Sequence, residues 1–323
     1  MRALVVANGQ LTYQAQWPEP DLQLGEALIR LVLAGICSTD LEIVKGYTAL
    51  QGVLGHEFVG VVTAVADPAD QSWLTRRVVG EINLGCRQCA VCLNDGPHHC
   101  PHRTVLGIIN RDGAFADYLA LPVVNLHPVP DHVPDEAAVF TEPLAAALRI
   151  LEQSSISPEE RIAVIGPGRL GLLIGQVLAQ TGGQVTLLGR SAQSLALPEQ
   201  LGLRTGLAEA AADNSFDFVV EATGSAAGLA HALRLVRPLG RLVMKSTYAD
   251  KEPVDLTKLV VGEITVIGSR CGPFATALGW LADRRIQTEP LIDGRYSLQD
   301  GLTAFAHAQR PGVRKILLAP NNE

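Results

Sequence analysis

Beyond Arg161 the chain alternates short continuous apolar runs with helical stretches. The runs are RIAVI (Arg161–Ile165), VTLL (Val185–Leu188), FDFVV (Phe216–Val220), RLVMK (Arg241–Lys245) and ITVI (Ile264–Ile267), and helices fit Leu170–Gln180 and Gly228–Leu235 between them. Strands that are apolar on both faces and separated by helices predict βαβ units and a parallel sheet covered on both sides. The first 145 residues follow another pattern. Strand candidates Ala3–Val6, Ala27–Leu33, Phe58–Val65 and Arg77–Val79 are set apart by turns rich in Gly, Pro, Asn and Asp, which predicts an irregular, mostly β lobe. The segment 288–323 reads as a helix followed by a strand that rejoins this first lobe. The expected fold class is therefore α/β, with residues 1–145 and 288–323 forming one domain and 146–287 the other.

Composition sharpens this picture. A chain of 323 residues exceeds the usual span of one hydrophobic core, which supports two domains. With 47% hydrophobic and 18% charged residues the chain is globular in type. A net charge of −7 without any run of Lys or Arg excludes nucleic acid and anionic membranes as main partners, and points to a small-molecule substrate. No segment reaches the roughly 18 apolar residues of a membrane span, and MRALVVANGQ lacks the apolar core of a secretory signal. The expected location is cytoplasmic. In that reducing compartment clustered cysteines signal a metal site rather than disulfides.

Such a cluster exists. Cys86, Cys89, Cys92 and Cys100 follow C-x2-C-x2-C-x7-C, and Asp95, Gly96 and Pro97 let the chain curl back to deliver the fourth thiolate. This spacing predicts a closed, tetrahedral, structural zinc site, with an iron–sulfur cluster as the rival. His98, His99 and His102 then form a solvated loop beside it.

A second motif lies between the first strand and helix of the α/β half. Gly166-Pro167-Gly168-Arg169-Leu170-Gly171 is a G-x-G-x-x-G turn, whose glycines admit the pyrophosphate of a dinucleotide to a helix N-terminus. An acidic residue about 20 positions on would select NAD through its ribose hydroxyls. None occurs from Arg169 to Pro198, and the second strand ends in Gly189-Arg190-Ser191. A 2′-phosphate would meet Arg190 and no carboxylate, so NADP is preferred and NAD remains possible; the alternative makes Arg190 an ordinary solvated residue.

Reactive metal chemistry has candidates in Cys37-Ser38-Thr39-Asp40, in His56-Glu57 and in Glu142. One Cys, one His and one or two Glu suffice for a catalytic zinc with an open position. Each also has a packing explanation, Cys37 as a small buried residue and His56 as a core histidine.

GHEFVGVVTAVADPA (Gly55–Ala69) resembles the zinc signature of the medium-chain dehydrogenase/reductases. The cysteine spacing and the position of the glycine turn are also similar to theirs, and the resemblance spans essentially the whole chain. TEPLAAAL, with Glu142 where classical alcohol dehydrogenases carry a cysteine, resembles the sorbitol, threonine and glucose dehydrogenase branch. The resemblance implies a GroES-like catalytic domain interrupted by a Rossmann domain, and a homodimer or homotetramer. It implies one catalytic and one structural zinc, with Cys37 and His56 as catalytic ligands and Glu57, Glu142 or water completing the shell. Thr39 would relay the substrate proton, Asp40 would orient His56, and Arg270 would lie near the nicotinamide with Cys271, for which a packing role is the alternative. The implied activity is hydride transfer between a nicotinamide cofactor and a secondary alcohol or ketone of polyol, sugar or amino-alcohol type. A zinc-free quinone-type reductase and a nucleotide-binding protein without turnover are the alternatives. The chain departs from the family in three places: only 18 residues separate Cys37 from His56, Glu42 stands where many relatives place a proton-relaying histidine, and the acidic NAD determinant is missing.

Overall fold

The computed structural model describes residues 1–247 and 254–321. The chain packs as two units, one built from Met1–Glu142 with Phe274 onward, the other from Pro143–Pro273, and the boundary falls inside the helix Thr141–Gln153.

In the second unit six strands form one parallel sheet in the order Arg204–Leu207, Gln184–Gly189, Arg161–Ile165, Phe216–Glu221, Val236–Met244, Thr265–Gly268. The central strand is apolar and buried from Ile162 to Ile165, as a strand covered by helices on both faces must be. Leu229, Leu233 and Leu235 of the helix Ala226–Leu235 pack against Ile165, Val219 and Leu242 of the sheet. The strand Arg204–Leu207 is absent from the pattern-based reading. It lies at the sheet edge, half exposed, and therefore has no continuous apolar run to betray it.

The first unit is mostly β. Its larger sheet has the order Leu126–Pro128, Arg77–Gly80, Glu57–Val65, Glu26–Ile36, Lys315–Ala319, Ile292–Ser297, and Tyr118–Pro122 also pairs with Glu26–Ile36. All pairs are antiparallel except Ile292–Ser297 with Lys315–Ala319, and the C-terminal strand lies beside the longest strand of the N-terminal lobe. All five residues of Lys315–Ala319 are buried, and each fully buried Ile or Leu contributes about 1.5–3 kcal/mol. Phe115 and Phe305 meet edge to face at 5.9 Å, adding a second tie between the two parts of this unit. The return to it starts at Phe274, earlier than residue 288, because Phe274 stacks on His127 with ring centroids 5.6 Å apart.

Candidate active site

The antiparallel register of Glu26–Ile36 with Glu57–Val65 sets Gly35 opposite Glu57, which carries Cys37 and His56 to adjacent strand ends. The thiol of Cys37, a ring nitrogen of His56 and a carboxylate oxygen of Glu57 lie within 4.8 Å of one another. Cys37 is also the N-cap of the helix Ser38–Val44, and its backbone N–H donates to Asp40 Oδ2 at 2.8 Å. The other oxygen of Asp40 lies 3.2 Å from His56 Nδ1, at ion-pair distance but without the alignment of a hydrogen bond. Asp40 is wholly buried and His56 nearly so. Burial opposes protonation of His56, but the Asp40 carboxylate and the Cys37 sulfur outweigh it and hold the imidazole well above its ordinary pKa. The pocket thus stabilises positive charge. With Nδ1 turned to Asp40, Nε2 is left for a cation, and a thiol, an imidazole and a carboxylate are the donor set that suits zinc.

Thr39 Oγ1 lies 3.9 Å from Cys37 Sγ. Glu42 is half-buried and paired with the exposed Lys45 at 2.8 Å. Glu142 sits in the first turn of Thr141–Gln153, outside the converging group of Cys37, His56 and Glu57.

Sequence reasoning missed what stands behind Glu57. Lys315 Nζ donates to Glu57 Oε2, both side chains are buried, and the ammonium lies 5.4 Å from the centre of the Phe140 ring. The two residues belong to the strands on either side of Glu26–Ile36, and they meet across Gly35. A Cβ there would stand 2.5 Å from Glu57 Oε2 and 3.2 Å from Lys315 Cδ. Gly35→Ala is therefore expected to force the pair apart and to cost about 1–3 kcal/mol, read as a lower melting temperature by calorimetry. A glycine inside a strand and a lysine opening a buried strand were the available signals.

The four clustered cysteines hang between two short paired strands, Asn83–Leu84 and Thr104–Val105, which close the base of their lobe. Their sulfurs are free of disulfides and stand 3.6 Å (Cys86–Cys100), 3.8 Å (Cys89–Cys100) and 4.0 Å (Cys86–Cys92) apart. Tetrahedral Zn–S bonds of about 2.3 Å require S···S separations near 3.8 Å. Without a metal the thiols are unequal. Backbone N–H groups of Gln88 and Cys89 draw the Cys86 thiol down to about 6, while desolvation pushes that of Cys92 up to about 12. A divalent cation removes this conflict by holding all four as thiolates. Cys100→Ala is expected to lose this zinc and open the lobe to protease between the two short strands, as zinc counting and limited proteolysis would show.

In the second unit, Gly166 takes a φ of +95°, and a Cβ on it would lie 2.7 Å from Thr223 Cγ2. A Cβ on Gly171 would lie 1.9 Å from the carbonyl oxygen of Gly166. Both positions require glycine for the helix Arg169–Ala179 to close on the strand. Gly168, the N-cap, has open space where its Cβ would be, as expected of a backbone that a pyrophosphate must approach. Gly189 is buried, whereas Arg190 and Ser191 are exposed beyond the neighbouring strand. Arg270 follows the strand Thr265–Gly268.

Family models match the chain twice: the alcohol dehydrogenase GroES-like domain over residues 23–131, and the zinc-binding dehydrogenase model over residues 170–283. The chain is 31% identical to the L-threonine 3-dehydrogenase of Streptomyces coelicolor over 98% of this chain and 99% of that one. It is 28% identical to the sorbitol dehydrogenase of Halalkalibacterium halodurans over 99% of each. Among solved structures, a protein described as a zinc-binding dehydrogenase from Sinorhizobium meliloti 1021, bound to NADP, superposes with a TM-score of 0.90 at 26% identity over 99% of both chains. None of these supports a zinc-free reductase or a protein without turnover. The chain belongs to the zinc-dependent medium-chain dehydrogenases, in the branch of the sorbitol and threonine dehydrogenases, and is an NAD(P)-dependent alcohol dehydrogenase or reductase.

Proposed function

We propose that the enzyme interconverts a secondary alcohol and its ketone, of polyol, sugar or amino-alcohol type, with NADP as preferred cofactor. The observation that carries this reading is the convergence of half-buried Cys37 with buried His56 and Glu57 in one group backed by Asp40. Cys37 and His56 would hold the catalytic zinc. Glu57 stands ready as a further ligand, and Glu142 or water is the other way of completing the shell. When bound, zinc would supply Lewis acidity toward the substrate oxygen and the nicotinamide would serve as hydride donor or acceptor. Asp40 fixes the ring of His56 and, through the Cys37 N–H, the entry of the helix that carries Thr39. Thr39, beside Cys37, passes the substrate proton outward. Since Glu42 is turned to Lys45, the outer end of that relay is solvent rather than a histidine. The relatives whose names include sorbitol and threonine support the substrate class.

The glycine turn binds the pyrophosphate, and Arg190 with Ser191 receives the 2′-phosphate. A Cβ on Gly189 would stand 2.4 Å from Ser194 Oγ and 2.8 Å from Leu195 Cδ2, so a side chain at this position would require those two side chains to turn aside. The lack of any carboxylate from Arg169 to Pro198, with a cation at Arg190, supports NADP over NAD. Arg190→Ala is expected to raise the KM for NADP about tenfold, the value of one charged hydrogen bond, and to leave that for NAD nearly unchanged. Equal changes for the two cofactors in steady-state kinetics would rule out the assignment. Turnover of a panel of secondary alcohols and ketones, with each cofactor separately, tests the substrate class.

Four thiolates with no open position make Cys86, Cys89, Cys92 and Cys100 the structural zinc site. We place the enzyme in the cytoplasm as a homodimer or homotetramer, in keeping with its family. Among the described residues, no helix is long and apolar enough to cross a membrane.

A further inference from the structure

Lys245 follows directly on the strand Val236–Met244, at the C-terminal edge of the parallel sheet where the glycine turn also lies. Its ammonium donates to Ala146 O at 2.6 Å, Ser269 Oγ at 3.1 Å and Arg270 O at 3.1 Å. These oxygens come from two segments far apart in sequence. The second of them, Ser269–Gly272, is held from other sides as well. Ser269 N–H donates to Met244 O at 3.1 Å, Gln153 Nε2 donates to Gly268 O at 3.0 Å, and a Cβ on Gly272 would lie 2.0 Å from Ala145 O. The cation thus draws two backbone carbonyls from distant segments together at the rim of the sheet.

The strand order gives the tie a direction. Gln184–Gly189, ending at Arg190, lies on one side of the central strand, and Phe216–Glu221, Val236–Met244 and Thr265–Gly268 lie on the other. A dinucleotide lies across the C-terminal edge of such a sheet, its pyrophosphate on the turn after the first strand and its adenosine ribose at the end of the second. The nicotinamide half then falls on the side of Lys245 and Ser269–Gly272.

We infer that Lys245 is a positioning residue for the nicotinamide half of the cofactor: it fixes the Ser269–Arg270 segment against Ala146, so that this half-site is formed before the cofactor arrives. The inference rests on the cofactor reading proposed above. The test is calorimetric titration of the full chain with NADPH and with adenosine 2′,5′-bisphosphate, which keeps the adenosine half and lacks the nicotinamide. NADH and ADP-ribose replace them if the native protein binds that pair more tightly. Lys245→Met is expected to weaken NADPH about tenfold, to change the bisphosphate by less than about twofold, and to raise the cofactor KM more than it lowers kcat. Lys245→Arg should regain most of that loss. Ser269→Ala, which removes one acceptor and keeps the cation, should weaken NADPH about threefold, and it carries the test if Lys245→Met does not fold. NADPH binding unchanged in these variants, or both probes weakened equally, overturns the inference. A native protein that binds neither NADPH nor NADH overturns the cofactor reading itself.

Discussion

Cys37→Ser is expected to lower turnover by roughly a thousandfold and to reduce the zinc content from two ions to one. A Lewis acid at the substrate oxygen is worth several kcal/mol, and each 1.36 kcal/mol is a factor of ten in rate. Serine offers a hard, protonated oxygen in place of a soft thiolate, so the pocket keeps only His56 and Glu57 as strong donors. The four-cysteine group is a separate set of ligands in its own lobe, and its ion stays. Nucleotide affinity also stays, because the glycine turn belongs to the other unit. The measurement is metal analysis together with steady-state rates on whichever alcohol the native enzyme oxidises. A variant that retains both ions and native turnover would exclude Cys37 as a ligand and remove the basis of the proposed chemistry.

Lys315→Met carries the largest expected effect on stability. The Lys315–Glu57 pair is buried on both sides, with side-chain exposures of 5% and 1%. Removing the cation strands the carboxylate in the interior, at a cost of about 3–5 kcal/mol. For a unit of this size that corresponds to a fall in melting temperature on the order of 10 °C. The double variant Lys315→Met, Glu57→Gln has no charge left to strand and should recover a large part of the loss. The coupling between the two positions is therefore expected to be strong. If calorimetry finds Lys315→Met as stable as the native protein, or the double variant no better than the single one, the pair is not the buried link described here.

The features legible in the sequence are those whose parts lie close together along the chain. Cys86, Cys89, Cys92 and Cys100 fall within one small lobe, and Gly166 to Gly171 fall within one turn. Their chemistry follows from local spacing, and the alternation of apolar runs with helices was enough to indicate the parallel sheet. Cys37 and His56 are a harder case. Spacing alone left them ambiguous, and they came together as a pair only through resemblance to a family.

What the tertiary structure decided is everything that depends on strand register and on long-range closure. Lys315 is 258 positions from Glu57, and no local pattern links them. They meet because the C-terminal strand pairs with Glu26–Ile36 on the side opposite Glu57–Val65, and Gly35 leaves room between them. The reach of Lys245 to Ala146 and Arg270 arises in the same way. A sequence states which groups a protein possesses and which neighbours share a turn. Which distant groups must share a buried space, and so must neutralise or orient one another, is set only when the strands are in register.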